Sequence, residues 1–174
     1  MLSRTLLLLA AIGVLAVAAG PTNRTTCELP CEMDFDVQVG KAYTITGVPL
    51  PSTGPDGFFI NLQDGPRNST TNIGFHLNAR GQESIVIRNS RIGGEWGKEE
   101  RGGGYPFVEG QEFQLLIMVF TDRYSIYVDG RLYADYMHRS FVCLLNIMRL
   151  AGDFQLNDVQ EKTHWTRCTP VPTL

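Results

Sequence analysis

Between residues 33 and 159 apolar and polar positions exchange with a period of two, in short runs broken by Gly, Pro, Asn and Asp. Met33, Phe35, Val37 and Val39 alternate with Asp34, Asp36 and Gln38 before Gly40 ends the run. Successive side chains of a strand point to opposite faces, so this spacing predicts a strand with one buried face. The same reading predicts strands over Tyr43 to Val48, Phe58 to Leu62, Ile73 to Arg80, Ser84 to Asn89, Phe113 to Phe120, Tyr124 to Val128, Leu132 to Tyr136, Leu144 to Leu150 and Phe154 to Val159. The run from Phe113 to Phe120 is apolar enough to predict a central strand covered on nearly both sides. Asp129-Gly130 between two such runs is the strongest hairpin signal, because Gly accepts the positive φ of a two-residue turn. No long helical period competes, and many short strands without an internal repeat predict an all-β fold, a two-sheet antiparallel sandwich or a barrel.

The chain ends depart from this pattern. Arg4 is followed by unbroken apolar sequence from Leu6 to Ala19, the pattern of a signal peptide, with Ala16 and Ala18 suited to a cut after Ala18. A bilayer span needs roughly 20 apolar residues, so cleavage is favoured over an uncleaved anchor and no stable membrane insertion is expected. The expected organisation is a signal peptide at 1–18, a polar leader at 19–30, one folded domain at 31–162 and a tail at 163–174 that carries Pro170 and Pro172. A length of 174 residues, 43% of them hydrophobic, suits one substantial core. The net charge of -3 provides no basic field for a phosphate backbone, which argues against nucleic acid as a partner.

Export changes how four cysteines and two sequons are read. Cys27, Cys31, Cys143 and Cys168 make an even count beyond the signal, which suggests two disulfides. Three pairings are open; the positions of Cys27 and Cys31 before the first strand and Cys168 after the last favour a bridge between the chain ends, and Cys143 also fits a buried thiol. Asn23 and Asn68 open Asn-x-Ser/Thr sequons, candidate glycosylation sites in a secreted chain.

Candidate chemistry concentrates between residues 73 and 101. A period of two sends Ile73, Phe75 and Leu77 to one face and His76, Asn78 and Arg80 to the other. Three hydrogen-bonding groups of different kinds on one strand suit a rigid ligand with adjacent hydroxyls, which is a sugar. Taken alone, such a row fits an ordinary solvated sheet face better than a binding site. Glu95, Trp96 and Gly97, between Gly93-Gly94 and Gly102-Gly103-Gly104, place an indole in a polar, loop-rich setting where its flat face can cover a pyranose. The bland alternative is a tryptophan packed under the glycine loops. Glu99 and Arg101, two apart, can hold hydroxyls and orient each other.

In this segment the chain resembles the galectins, the β-galactoside-binding S-type lectins, whose H-x-N-P-R, V-x-N and W-G-x-E-x-R pattern is matched by His76-x-Asn78-Ala79-Arg80, Ile87-x-Asn89 and Trp96-Gly97-x-Glu99-x-Arg101. The likeness runs from about Phe35 to Val159 and includes Pro106-Phe107, Tyr127 to Gly130, His138-Arg139 and Gly152-Asp153-Phe154. It implies a jelly-roll β-sandwich of two antiparallel sheets, with sugar across the concave one and no metal or other cofactor. It further implies that His76, Asn78 and Arg80 recognise the axial 4-hydroxyl of galactose, with Arg80 also near the ring oxygen. Asn89 and Glu99 then meet the 6-hydroxyl, Trp96 stacks on the ring, and Glu99, Arg101 and Arg80 reach a neighbouring glucose or N-acetylglucosamine. The implied partners are glycoproteins or glycolipids that bear β-galactosides, with avidity from a homodimer or from clustered glycans.

Several features depart from that pattern. Ala79 stands where the family has Pro, the connection from Arg80 to Asn89 is short, and most galectins carry no signal peptide. Asn89 shares strand parity with Ile85 and Ile87, which would call for a bulge or an edge position. Two other functions remain to be weighed. A glycoside hydrolase would use two carboxyl groups, and Glu99, Glu100 and Glu109 lie close in sequence. Arg101 beside Glu99 should keep that carboxylate ionised and a poor proton donor, so no catalysis is expected. An adhesion module that has lost sugar binding would not be expected to retain all seven polar and aromatic site residues.

Overall fold

In the computed structural model the described residues are 23–25, 27–68 and 70–163, with backbone alone for Asn23 to Thr25. The expected signal peptide, Cys168 and the prolines of the tail lie outside them.

Among the described residues twelve strands form two antiparallel sheets. One has the order β1 (Asn23–Thr25), β12 (Phe154–Thr163), β3 (Lys41–Pro49), β8 (Phe113–Val119), β9 (Arg123–Val128) and β10 (Arg131–Met137). The other has the order β2 (Cys31–Asp34), β11 (Ile147–Gly152), β4 (Phe58–Gln63), β5 (Ile73–Arg80), β6 (Ile85–Ile92) and β7 (Glu95–Trp96). This is the jelly-roll sandwich. Asp129 and Gly130 turn β9 into β10 with φ of 49° and 74°, the left-handed pair that a two-residue hairpin requires.

The alternation places the core between the sheets. Phe58, Ile60 and Leu62 of β4 and Phe75, Leu77 and Ala79 of β5 face Tyr43, Ile45, Leu115, Ile117 and Ile126 of the opposite sheet, all of them buried. At one end Phe58 stacks on Phe113 and meets Phe107 edge-on, with centroids 5.5 and 5.0 Å apart. β8 is central but alternates: Phe113, Leu115, Ile117 and Val119 are buried, whereas Leu116 and Met118 are half-buried on the outer face. The apolar run read as doubly covered is therefore one-sided.

Other differences from the sequence reading are local. The alternation of Met33 to Val37 persists, but the strand ends at Asp34, and Phe35 and Val37 donate to the carbonyls of Asn146 and Leu145 instead of a regular ladder. The polar leader contributes β1, which pairs with β12. Cys27 bonds to Cys31, in place of a bridge between the chain ends, because the two Cα atoms lie 6.1 Å apart across a short loop. Cys143 is disulfide-bonded and exposed, and so is not a buried thiol.

Two glycines let chain crossings close beneath the site. Gly57 has φ +53° and Gly152 has φ +102°, and a Cβ at either would lie 2.1 Å from a backbone oxygen, of Ala79 and Gly57 respectively. Ala79, fully buried and paired with Phe58 and Val86, continues the ladder without the proline of the family pattern.

Candidate functional site

The outer face of β4, β5 and β6 forms the floor of a groove of about 1260 Å³ that crosses the strands from Trp96 to Arg149. His76, Asn78, Arg80, Asn89, Trp96 and Glu99 all line it. Arg101 is tied to its rim through Glu99. Residues from three separate stretches therefore meet on one surface.

Register explains how. His76 pairs with Asn61 of β4 on one side and Asn89 of β6 on the other, so the three side chains stand in one row. Asn78 pairs with Phe59 and Ile87, which puts Ile87 on the groove side as well. No bulge is needed in β6: Asn89, Ile87 and Ile85 do share a face, and Val86 and Ser90 point into the sandwich, where Ser90 meets the Tyr136 hydroxyl at 2.7 Å. The bulge lies in β5 instead, between Ile73 and His76. It turns Ile73 to the groove, so Ile73 does not share the inward face of Phe75 and Leu77. Gly74 sits at that bulge, where a Cβ would come within 2.7 Å of Leu145 and Ser140 side chains.

Each polar group is oriented by the protein before any ligand arrives. His76 Nδ1 is 2.6 Å from Asn61 Oδ1, which makes Nδ1 the protonated nitrogen and leaves Nε2 as an acceptor. Asn78, buried, spends its amide N–H groups on the carbonyls of Asp56 and Phe58. Its Oδ1 accepts from Arg80 Nε at 2.7 Å. Arg80 Nη2 reaches Glu99 at 3.2 Å and Nη1 reaches Glu83 at 3.4 Å. Arg101 pairs with the other oxygen of Glu99. One carboxylate thus holds two guanidinium groups at the groove edge.

The Trp96 loop is docked on β6 by backbone bonds. Gly97 N–H donates to Ser90 O, and Arg88 and Glu100 exchange both N–H···O bonds, each at 2.9 Å. Asn89 Nδ2 donates to Gly97 O at 2.9 Å. The indole remains 49% exposed, tilted against His76 with centroids 4.8 Å apart, so it is not packed beneath the glycine loops.

Electrostatics follow from this arrangement. Burial, with the Arg80 charge second and Glu99 opposing, lowers His76 from 6.5 to about 4. Burial pushes Glu99 upward, but the Arg101 hydrogen bond and the charges of Arg80 and Arg101 outweigh it and hold the carboxyl below its ordinary value. An ionised Glu99 is a hydrogen-bond acceptor and not a proton donor. Neutral His76 offers Nε2 as an acceptor until it protonates. Ligand affinity is therefore expected to stay level from about pH 8 to about pH 5.5 and to fall as pH drops through about 4. Stability has the same sign: the unfolded chain binds the additional proton between about 4 and 6.5, so this contribution is complete above 6.5 and fades with acid. A calorimetric titration series over pH checks it; a midpoint near 6.5 would refute a buried neutral His76.

The groove also holds residues that the sequence reading passed over. Phe59, Asn61 and Gln63 share the outer face of β4, and Arg149 of β11 pairs with Asn61, stacks over Phe59 at 5.6 Å and bonds Glu32 at 3.2 Å. Their signal was the polar half of the alternation in β4, which becomes informative only once β4 is known to lie beside β5. Asn68 is exposed at the groove margin, its Oδ1 accepting from Thr70 and Thr71, on the turn between β4 and β5. Among the described residues no three His, Cys, Asp or Glu side chains gather as a metal site.

The family model described as galactoside-binding lectin matches residues 25–161. Human galectin-7 is 32% identical over 124 residues, covering 71% of this chain and 89% of that protein. The 32 kDa beta-galactoside-binding lectin of Caenorhabditis elegans is 37% identical over 103 residues, covering 59% of this chain and 36% of that protein. Human galectin-4 is 32% identical over 80% of this chain, which spans 42% of its length. Among solved structures, a double variant of human galectin-16 superposes with TM-score 0.72 at 27% identity, covering 79% of this chain and 97% of the other. The Caenorhabditis elegans galectin LEC-6 gives 0.71 at 24%, covering 80% and 96%, a likeness of fold. Members of this family are lectins and not enzymes. With the matching fold, the ordered groove and a family match across most of its length, the chain belongs to the galactoside-binding lectins, the galectins.

Proposed function

We propose that this chain is a secreted lectin that takes β-galactosides of the lactose or N-acetyllactosamine type across its concave sheet. The observation that carries the reading is the convergence of His76, Asn78, Arg80, Asn89, Trp96, Glu99 and Arg101 on one groove edge. An axial 4-hydroxyl can donate to His76 Nε2 and accept from the remaining Arg80 donors, beside Asn78; an equatorial one points away from this row and makes neither bond. The 6-hydroxyl falls to Asn89 and Glu99, the apolar ring face to Trp96, and the next sugar to Glu99, Arg101 and Arg80. Phe59 and Arg149 extend the platform on the opposite side.

Secretion is supported by the apolar segment at 1–18, the even number of cysteines and the sequons at Asn23 and Asn68. A glycan on Asn68 would stand at the margin of the groove. Natural partners would be glycoproteins or glycolipids with terminal β-galactose.

A net hydrogen bond contributes roughly 0.5–1.5 kcal/mol, and a shallow site must also offset association entropy. The expected single-site dissociation constant is about 10 μM to 1 mM, or about -7 to -4 kcal/mol. A homodimer or clustered glycans would then supply avidity. The test is a lactose column with and without EDTA. Retention released by lactose, insensitive to chelator and unaffected by the glucose epimer is expected; passage straight through sinks the reading.

A further inference from the structure

Arg139 lies after β10, at the edge of the sheet opposite the groove, yet its guanidinium crosses the open side of the sandwich to the sugar site. Nη1 donates to Asn89 Oδ1 at 3.1 Å and to Lys98 O at 2.8 Å. Nη2 pairs with Glu100 at 2.9 Å, and the guanidinium plane lies over the Tyr136 ring at 4.9 Å. Gly97 makes room for it: a Cβ there would be 2.9 Å from Arg139 Nη1 and 3.2 Å from Asn89 Oδ1.

We propose that Arg139 is a positioning residue that sets galactoside affinity by fixing the orientation of the Asn89 amide and the place of the Trp96 loop. The chemistry is directional. Arg139 Nη1 and the Ser90 backbone N–H are donors only, and both address Asn89 Oδ1. The oxygen is thereby turned from the ligand, and Nδ2, one of whose hydrogens goes to Gly97 O, keeps the other for it. Asn89 is thus a committed donor to a sugar oxygen. Without Arg139 the amide keeps only the Ser90 N–H and Gly97 carbonyl bonds to hold its orientation, and the carbonyl of Lys98 and the carboxylate of Glu100 lose the tie that holds the segment after Trp96. Lysine could make one of these bonds, but it has no planar fork to span Asn89, Lys98 and Glu100 while stacking on Tyr136.

This inference rests on the galactoside reading, and the parent protein's binding to lactose separates the two: if the parent does not bind, the reading has failed, not this step. Lactose affinities of Arg139→Gln and Arg139→Lys are compared with the parent by calorimetry, with circular dichroism to show that each is folded. Arg139→Gln should bind roughly tenfold more weakly and Arg139→Lys should fall between. In an Asn89→Ala background, Arg139→Gln should cost no more than about threefold, since part of its effect passes through Asn89. A folded Arg139→Gln that binds within twofold of the parent overturns the proposal. So does an undiminished tenfold loss in the Asn89→Ala background, which would mean that Arg139 does not act through the Asn89 amide. If Arg139→Gln does not fold, Arg139→Lys decides: weaker binding supports the assignment, and parental affinity refutes it.

Discussion

Trp96→Ala is expected to abolish retention on lactose while leaving the far-ultraviolet spectrum of the sandwich unchanged. The indole is 49% exposed on a two-residue edge strand, so its removal costs the core little. Its contribution is expected at the ligand, where a flat apolar surface beside His76 would cover one ring face and exclude water. An aromatic anchor of this kind typically contributes about 2–3 kcal/mol, or roughly 30- to 150-fold in affinity. From a starting constant of about 10 μM to 1 mM, such a loss carries binding out of the range a column retains. Calorimetry with lactose is the quantitative check. Undiminished affinity would mean that the sugar lies elsewhere on the groove, toward Phe59 and Arg149.

Arg80→Lys should be nearly as damaging, although it conserves charge. Arg80 uses three nitrogens in three directions, toward Asn78, Glu83 and Glu99, and an ammonium group cannot span them. Losing the Nε bond leaves Asn78 Oδ1 without the donor that orients it, in a residue that is buried. An unpaired buried polar group costs about 1–3 kcal/mol. Part of that cost appears as lower thermal stability and the rest as lost recognition of the 4-hydroxyl. A fall in lactose affinity of roughly 10- to 30-fold is therefore expected, with a smaller fall for a ligand that lacks the 4-hydroxyl and binds weakly already. Arg80→Lys binding lactose within threefold of the parent would show that Arg80 contributes as a charge and not as a geometric fork.

The two substitutions act on different parts of one site. Trp96 presents an exposed apolar surface, whereas Arg80 links the β5 row to the Glu99–Arg101 edge. The Glu99 carboxylate, with a guanidinium on each oxygen, is held as an acceptor, which is the opposite of what an acid catalyst needs. That geometry favours hydroxyl recognition over bond cleavage.

The period of two determined from sequence that the chain is all-β, where most strands lie, and that Met33, Phe35 and Val37 and, in β5, Phe75 and Leu77 face the core, because burial on one face imposes alternation directly on composition. The spaced motifs likewise nominated the seven candidate site residues, since chemically distinct side chains at fixed separations do not depend on where the strands are placed. Tertiary structure alone decided what those motifs are attached to. The bulge that turns Ile73 outward sits where Gly74 lies against Leu145 and Ser140, 71 and 66 positions further along the chain. The use of Asn61 to set the His76 tautomer, and of Arg139 to set the Asn89 amide, depends on neighbours brought together by strand order and by the closure of one sheet on the other. The local pattern encodes which face of a strand is wet or dry; the identity of the neighbour across the ladder, and so the direction of each hydrogen bond in the site, is set only when the sheets assemble.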